Sequence, residues 1–253
     1  MTRVVAFLIL TVVLVIDAQA MNKSICGGED NRRPTRDSRI GRLQKKKSKK
    51  SGCTVTMVGT SCAISAGHCS TNPRQVHFNV PRSMDNGEIR NSDPRDVYQI
   101  VPESVIYEDQ GKGKDFAVMR LQRNEETGRY PGEVYGYHQV SFDFPREGDS
   151  MSVVSYGRDK DYLGGHLSYT QQVSYSRVFE INTTGGFFGY RADTQKGSSG
   201  APVFNDRGEI IGVHTHGNCK TSGGLNYGTS IIHNAAFQNA LMRCLYWEKL
   251  YLQ

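Results

Sequence analysis

At 253 residues and 28.2 kDa, with 37% hydrophobic and 22% charged residues and a mean hydropathy of −0.51, the chain is long enough to bury a large core. This composition excludes a miniprotein scaffold, wholesale disorder and a multi-span membrane protein. The net charge of +6 invites a nucleic-acid or anionic-surface partner, but it is localised: residues 21–50 carry 11 Lys and Arg against 3 Asp and Glu, whereas 51–253 carry 19 against 21. No nucleic-acid partner is therefore expected of the body of the chain.

In chain order, Arg3 precedes an apolar run from Val4 to Ile16 and then Ala18-Gln19-Ala20, which reads as a secretion signal (1–20) cleaved near Ala20. The run is short for the roughly 20 residues of a spanning helix. Stable membrane insertion is not expected, and the mature protein is expected to be secreted or periplasmic. Residues 21–50, with the run Lys45-Lys46-Lys47-Ser48-Lys49-Lys50, have no apolar periodicity and read as an exposed basic lead, a surface loop or a propeptide processing region.

From Cys53 onward, β-branched and aromatic runs alternate with Gly, Pro, Asn and Asp turns: Thr54–Val58, Gln75–Val80, Tyr98–Val101, Phe116–Leu121, Ser152–Tyr156 and Ile210–His214. That cadence predicts an all-β sandwich or a pair of barrels. The charged, Gly- and Pro-containing stretch after Arg123 reads as the connection between two β units, 51–130 and 131–234. Phe237, Leu241, Leu245 and Trp247 recur at near-helical spacing, so 235–253 is expected to form a C-terminal helix.

Six cysteines in an exported chain favour disulfides, and none of the spacings is that of a metal knuckle. Cys53 and Cys69 lie 16 apart around a β-prone run and are expected to pair. For Cys26, Cys62, Cys219 and Cys244 three pairings stay open. No cofactor or metal is expected, because the seven histidines include no ligand-spaced helical pair.

Three segments carry chemistry. In Ser65-Ala66-Gly67-His68-Cys69 a histidine adjoins a tethered cysteine, which suits a general base of fixed orientation. In Asp115-Phe116-Ala117-Val118-Met119-Arg120-Leu121 an acid opens an apolar strand, where it can hold an imidazole N–H. In Gly197-Ser198-Ser199-Gly200-Ala201-Pro202 the glycines bring the backbone close to a substrate carbonyl, with the Gly197 and Ser199 N–H groups as oxyanion donors. Each segment alone is weak; their order, His then Asp then Ser, is specific.

These residues resemble the chymotrypsin-like serine proteases: the histidine segment looks like T-A-A-H-C, Asp115 matches D-x-A-V-x-x-L, and Gly197–Pro202 matches G-x-S-G-x-P. The resemblance covers most of the mature chain; other Ser-His-Asp orders do not fit. It implies two six-stranded antiparallel Greek-key β-barrels, a site between them, and a C-terminal α-helix packed on the second. His68, Asp115 and Ser199 would be catalytic, the substrates proteins or peptides, and the enzyme a monomer.

Within the family the chain resembles the bacterial glutamyl endopeptidase branch. Ser198 stands where trypsin-like zymogens carry an aspartate, and Thr194 and His214 stand where that branch binds a substrate carboxylate. Asp193, in contrast, stands where trypsin-like enzymes attract Lys or Arg, and Gln195 replaces a pocket cysteine. His216 reads as an exposed loop histidine. Acidic preference, basic preference through Asp193, and a catalytically silent polyanion-binding protein are the readings carried forward.

Overall fold

In a computed structural model that describes residues 25–45, 51–70, 74–159 and 165–252, the chain forms two seven-stranded antiparallel sheets. Strand β1 is Arg33–Pro34, β2 Ile40–Lys45, β3 Ser51–Met57, β4 Cys62–Ser65, β5 Arg74–His77, β6 Val97–Gln99, β7 Ile106–Asp109 and β8 Asp115–Arg120. The second half supplies β9 Ser150–Ser155, β10 Gln172–Asn182, β11 Phe187–Tyr190, β12 Pro202–Phe204, β13 Ile210–His216 and β14 Asn226–Ser230. The helices are α1, Pro131–Tyr135, and α2, Ala235–Tyr251.

The first sheet runs β6-β5-β2-β3-β4-β8-β7; the second runs β1-β10-β11-β14-β13-β12-β9 and closes through β9–β10 pairing. This is the chymotrypsin-like pair of barrels, with seven strands in each sheet instead of the expected six. In the first, Pro102, which has no N–H to give a ladder, opens a 3-10 turn at Pro102–Ser104 that separates β6 from β7. In the second, the extra strand is the two-residue β1, paired with β10 through Arg33 and Val173.

Part of the stretch read as a surface lead is instead structural. β2 lies between β3 and β5, with Ile40 and Leu43 in the core and Arg42 fully buried. The Arg42 guanidinium donates to the Tyr169 and Arg90 carbonyls and to Gln44 Oε1. A charged side chain whose two terminal nitrogens are engaged inside the fold does not mark an exposed backbone. The signal segment and Lys46–Lys50 lie outside the described residues.

One apolar core fills each barrel, around Val55, Met57 and Phe78 in the first and Val153, Phe188 and Val203 in the second. A third lies between them and beneath α2, with Ile64, Phe116, Val213 and Phe237. Asn234 caps α2 by accepting the Phe237 N–H at 2.8 Å. The helix packs chiefly on β4, β7 and β8 of the first barrel, whereas packing on the second was expected. Phe237 stacks on Phe116 at 4.6 Å, and Glu248 accepts N–H groups from Thr60, Ser61 and Cys62.

Three disulfides form: Cys53–Cys69 as expected, Cys62–Cys244 joining α2 to β4, and Cys26–Cys219 joining the N-terminal loop to the β13–β14 turn. Among the described residues no helix is long and apolar enough to cross a membrane.

Candidate active site

His68 sits in a one-turn 3-10 helix, Gly67–Cys69, that follows β4. Its neighbour Cys69 is bonded to Cys53 on β3, and the Ser70 N–H and hydroxyl both return to the Gly67 carbonyl. The turn is thus fixed at both ends. Asp115 opens β8 with its side chain fully buried. Its Oδ2 lies 2.7 Å from His68 Nδ1, and its Oδ1 accepts the Gly67 and His68 backbone N–H groups at 2.7 and 3.2 Å. A buried carboxylate facing Nδ1 sets the neutral tautomer, with the proton on Nδ1 and Nε2 as the base.

Burial alone would push the Asp115 carboxyl up. The hydrogen bond and charge of the His68 imidazole, its backbone N–H and a smaller influence of His216 outweigh burial and hold the carboxyl below its ordinary range. The second barrel also braces this residue: Thr229 Oγ1 on β14 donates to the Asp115 carbonyl at 2.8 Å.

The loop that carries Ser199 belongs to the second barrel but takes its reference from β3 of the first. Thr54 donates its N–H to the Ser199 carbonyl at 2.7 Å and its hydroxyl to the Gly197 carbonyl at 3.1 Å. Thr54 adjoins Cys53, and Cys53 is bonded to the neighbour of His68, so one strand positions both halves of the site. Gly200 has φ +80, and a Cβ there would lie 2.1 Å from Ser65 Oγ and 2.4 Å from the Thr54 carbonyl. Only glycine fits.

The Ser198, Gly200 and Ala201 N–H groups go to the carbonyls of Gln195, His214 and Ser198. Those of Gly197 and Ser199 donate to no acceptor among the described residues. Two buried backbone donors left available beside a serine, next to Ser198, Gly200 and Ala201 whose N–H groups are engaged, can receive a developing oxyanion.

The residues expected to bind substrate divide. Asp193 is 3% exposed, and its two oxygens accept the Cys26 and Asn31 backbone N–H groups at 2.7 and 2.8 Å. In this geometry the carboxylate anchors the N-terminal loop. Burial holds its carboxyl above the ordinary range against these two donors. Thr194 and His214 are buried; Thr194 Oγ1 accepts from Asn226 Nδ2, and His214 Nδ1 lies 2.6 Å from the Tyr190 hydroxyl.

His216 is not an exposed loop residue. It ends β13, half-buried, with Nδ1 4.0 Å from Asp115 Oδ2 and 2.9 Å from Thr215 Oγ1. Sequence reasoning also passed over Asp109. It pairs with Asp115 across the β7–β8 hairpin, and the ligand atoms of His68, Asp109 and Asp115 all lie within 4.8 Å of one another. The Gly111 and Gly113 turn signals allowed that register to be drawn from sequence.

The trypsin family model matches residues 25–239. Exfoliative toxin A of Staphylococcus aureus is 22% identical over 185 residues, which is 70% of this chain and 61% of that protein. The chain therefore spans less than two thirds of that relative's length. A Glu endopeptidase solved in complex with MPD superposes with a TM-score of 0.66 at 19% identity, covering 88% of this chain and 100% of that one. The thermostable serine protease AL20, from an extremophilic microorganism, gives 0.64 at 15% identity over 83% and 98%. Neuropsin, a serine protease of mouse brain, gives 0.59 at 16% over 92% and 98%. At these identities the structural likeness is one of fold.

Proposed function

The chain belongs to the trypsin family, and from that premise we propose that it is a secreted serine endopeptidase acting through Ser199, His68 and Asp115, with a preference for cleavage after acidic residues. The observation that carries the catalytic reading is the pair of carboxylate oxygens of buried Asp115, one on His68 Nδ1 and the other on the backbone of the histidine turn.

In this reading Ser199 Oγ attacks the scissile carbonyl while His68 Nε2 takes its proton. The carbonyl oxygen becomes an oxyanion between the Gly197 and Ser199 N–H groups. His68, now imidazolium beside ionised Asp115, returns the proton to the leaving amine. Water then repeats the sequence on the acyl-enzyme and frees Ser199. Asp115 stays ionised throughout, consistent with a carboxyl held below its ordinary range.

Two features support acidic preference. Asp193, the acid that favours a basic side chain, is engaged by the N-terminal loop. His214 is held by Tyr190, and a histidine N–H is a suitable donor to a carboxylate. Secretion is supported by three disulfides, which persist in oxidising compartments.

The test is a peptide-library cleavage profile with the serine-directed fluorophosphonate label as a companion. Cuts after Glu or Asp, with labelling abolished by Ser199→Ala, are expected. Cuts after Lys or Arg that survive His214→Ala overturn the specificity; labelling that survives Ser199→Ala overturns the nucleophile.

A further inference from the structure

Arg32 lies in the loop before β1, yet it is 3% exposed. Its Nε and Nη2 grip the Asp30 carboxylate, and Nη2 lies 3.7 Å from Asp159 Oδ2. Both acids are as buried as the arginine. Nothing in the chemistry of Ser199 calls for a buried ion triad some residues away, and such a triad is costly to desolvate unless its geometry is fully used.

Its remaining donor shows where it acts. Arg32 Nη1 donates to the Arg158 carbonyl at 3.2 Å, and the Arg158 N–H donates to the Lys196 carbonyl at 2.8 Å. Lys196 immediately precedes Gly197. A Cβ on Gly157 would lie 2.7 Å from Arg32 Nη1 and 3.0 Å from Ser198 Oγ, so the guanidinium and the Ser198 hydroxyl share one face of that glycine. The hydroxyl in turn sits 2.8 Å from Ser155 Oγ and accepts the Gln195 N–H. On its other flank the loop is held by Asp193, which takes the Cys26 and Asn31 N–H groups. Residues 26–32 therefore hold this loop directly at Asp193 and, through Arg158, at Lys196.

We propose that Arg32 is the positioning residue of the oxyanion loop: an internal guanidinium, fixed by Asp30 and Asp159, that holds Arg158 against Lys196 and so keeps the Gly197 and Ser199 N–H groups aimed at the developing oxyanion. Only a planar fork can grip a carboxylate along one edge and still present an N–H to a carbonyl; a lysine keeps the charge and loses the third contact. Ser198 is neutral, so the cation in this cluster answers to Asp30 and Asp159 and not to the residue before the nucleophile.

This inference rests on the protease reading of Ser199, and its test separates the two. Arg32→Lys and Arg32→Met are compared with wild type and with the exposed Arg33→Met control, for peptide hydrolysis, inhibition by a peptide aldehyde, and amide hydrogen exchange across residues 195–199. In Arg32→Lys, kcat is expected to fall about 10–100-fold with KM within threefold. Aldehyde affinity is expected to fall by a similar factor and the 195–199 amides to exchange faster, while Arg33→Met matches wild type. If Arg32→Met does not fold, Arg32→Lys decides. Unchanged exchange, kcat within twofold of wild type, or a change confined to KM overturns the proposal. Absence of hydrolysis in the wild type overturns the protease reading instead, and the exchange comparison still reports whether Arg32 orders the loop.

Discussion

The Asp193 carboxylate accepts the Cys26 backbone N–H at 2.7 Å, although 167 residues separate them in sequence. Cys26 is also disulfide-bonded to Cys219, so the N-terminal loop is fixed covalently and by this acid to the wall of the second barrel. Asp193→Asn is expected to leave the cleavage preference unchanged, since it removes a buried charge and keeps one acceptor. Asp193→Ala leaves two partly buried N–H groups without their acceptor and is expected to cost about 2–4 kcal/mol of stability. Denaturant midpoints read the second effect and a peptide-library profile the first; loss of cleavage after Lys or Arg in Asp193→Asn would restore this residue to the specificity pocket.

Asp115→Asn replaces an ionised acceptor by an amide that can offer its N–H₂ to Nδ1, turning the proton onto Nε2, where the base is needed. We expect kcat to fall about 10³–10⁴-fold with KM little changed. The Gly67 and His68 N–H groups keep an amide oxygen to bond to, so the melting temperature should move by only a few degrees. A kcat within tenfold of wild type shows that His68 does not depend on this carboxylate.

The barrels and the three chemistry-bearing segments were legible because their signals are local: β cadence, a tethered His68-Cys69 pair, an acid opening an apolar strand, and a Gly-Ser-Ser-Gly loop. Strand β2 was not, because buried Arg42 and Gln44 carry the polarity of a surface segment and their partners, Arg90, Asn91 and Tyr169, are distant in sequence. The Cys26–Cys219 and Cys62–Cys244 bonds bridge 193 and 182 residues, a separation at which spacing carries no pairing information. The role of Asp193 was hidden for a similar reason. Its position in the motif names a pocket, but its hydrogen bonds are set by a loop that joins the second barrel only in three dimensions.

His77 is expected to make stability fall in mild acid. It is 1% exposed; burial first, and then the charge of Arg42, hold its imidazole down at about 4. Its Nε2 faces Gln75 Nε2 at 2.8 Å, an amide donor that requires an unprotonated acceptor. With a folded value near 4 and an unfolded one near 6.5, the unfolded chain binds the extra proton between these limits, so stability is complete above about pH 6.5 and declines below it. The loss by pH 4 is on the order of 3 kcal/mol. Urea unfolding of wild type and His77→Gln at stepped pH should show this limb flattened in the variant; parallel curves exclude His77 as its source.

Glu248 fastens α2 to the first barrel. One carboxylate receives the Thr60, Ser61 and Cys62 N–H groups and the Ser61 hydroxyl, from the β3–β4 turn and the first residue of β4, and Cys62–Cys244 closes the same junction. Glu248→Ala strands these donors and is expected to cost about 2–4 kcal/mol, with Glu248→Gln in between. Activity per folded molecule should be unchanged, because the turn lies away from the Ser199 loop in the hydrogen-bond network. A melting temperature equal to wild type for Glu248→Ala shows that the disulfide alone holds the helix.

Tyr190 and His214 give the sharpest test of acidic preference. The Tyr190 hydroxyl lies 2.6 Å from His214 Nδ1, and both residues are fully buried. Burial raises the Tyr190 phenol well above its ordinary value, so it stays a neutral hydroxyl able to donate to Nδ1 and leave the histidine proton on Nε2. Tyr190→Phe removes that constraint and keeps the ring. It is expected to lower kcat/KM for Glu substrates about 10-fold, and His214→Ala about 10²-fold or more, while uncharged substrates change less than threefold. Because a site built to bind a carboxylate loses most on the substrate that has one, the ratio of Glu to Gln substrates is the measurement. A drop shared equally by both shows that the pair supports the β11–β13 core and not the choice of substrate.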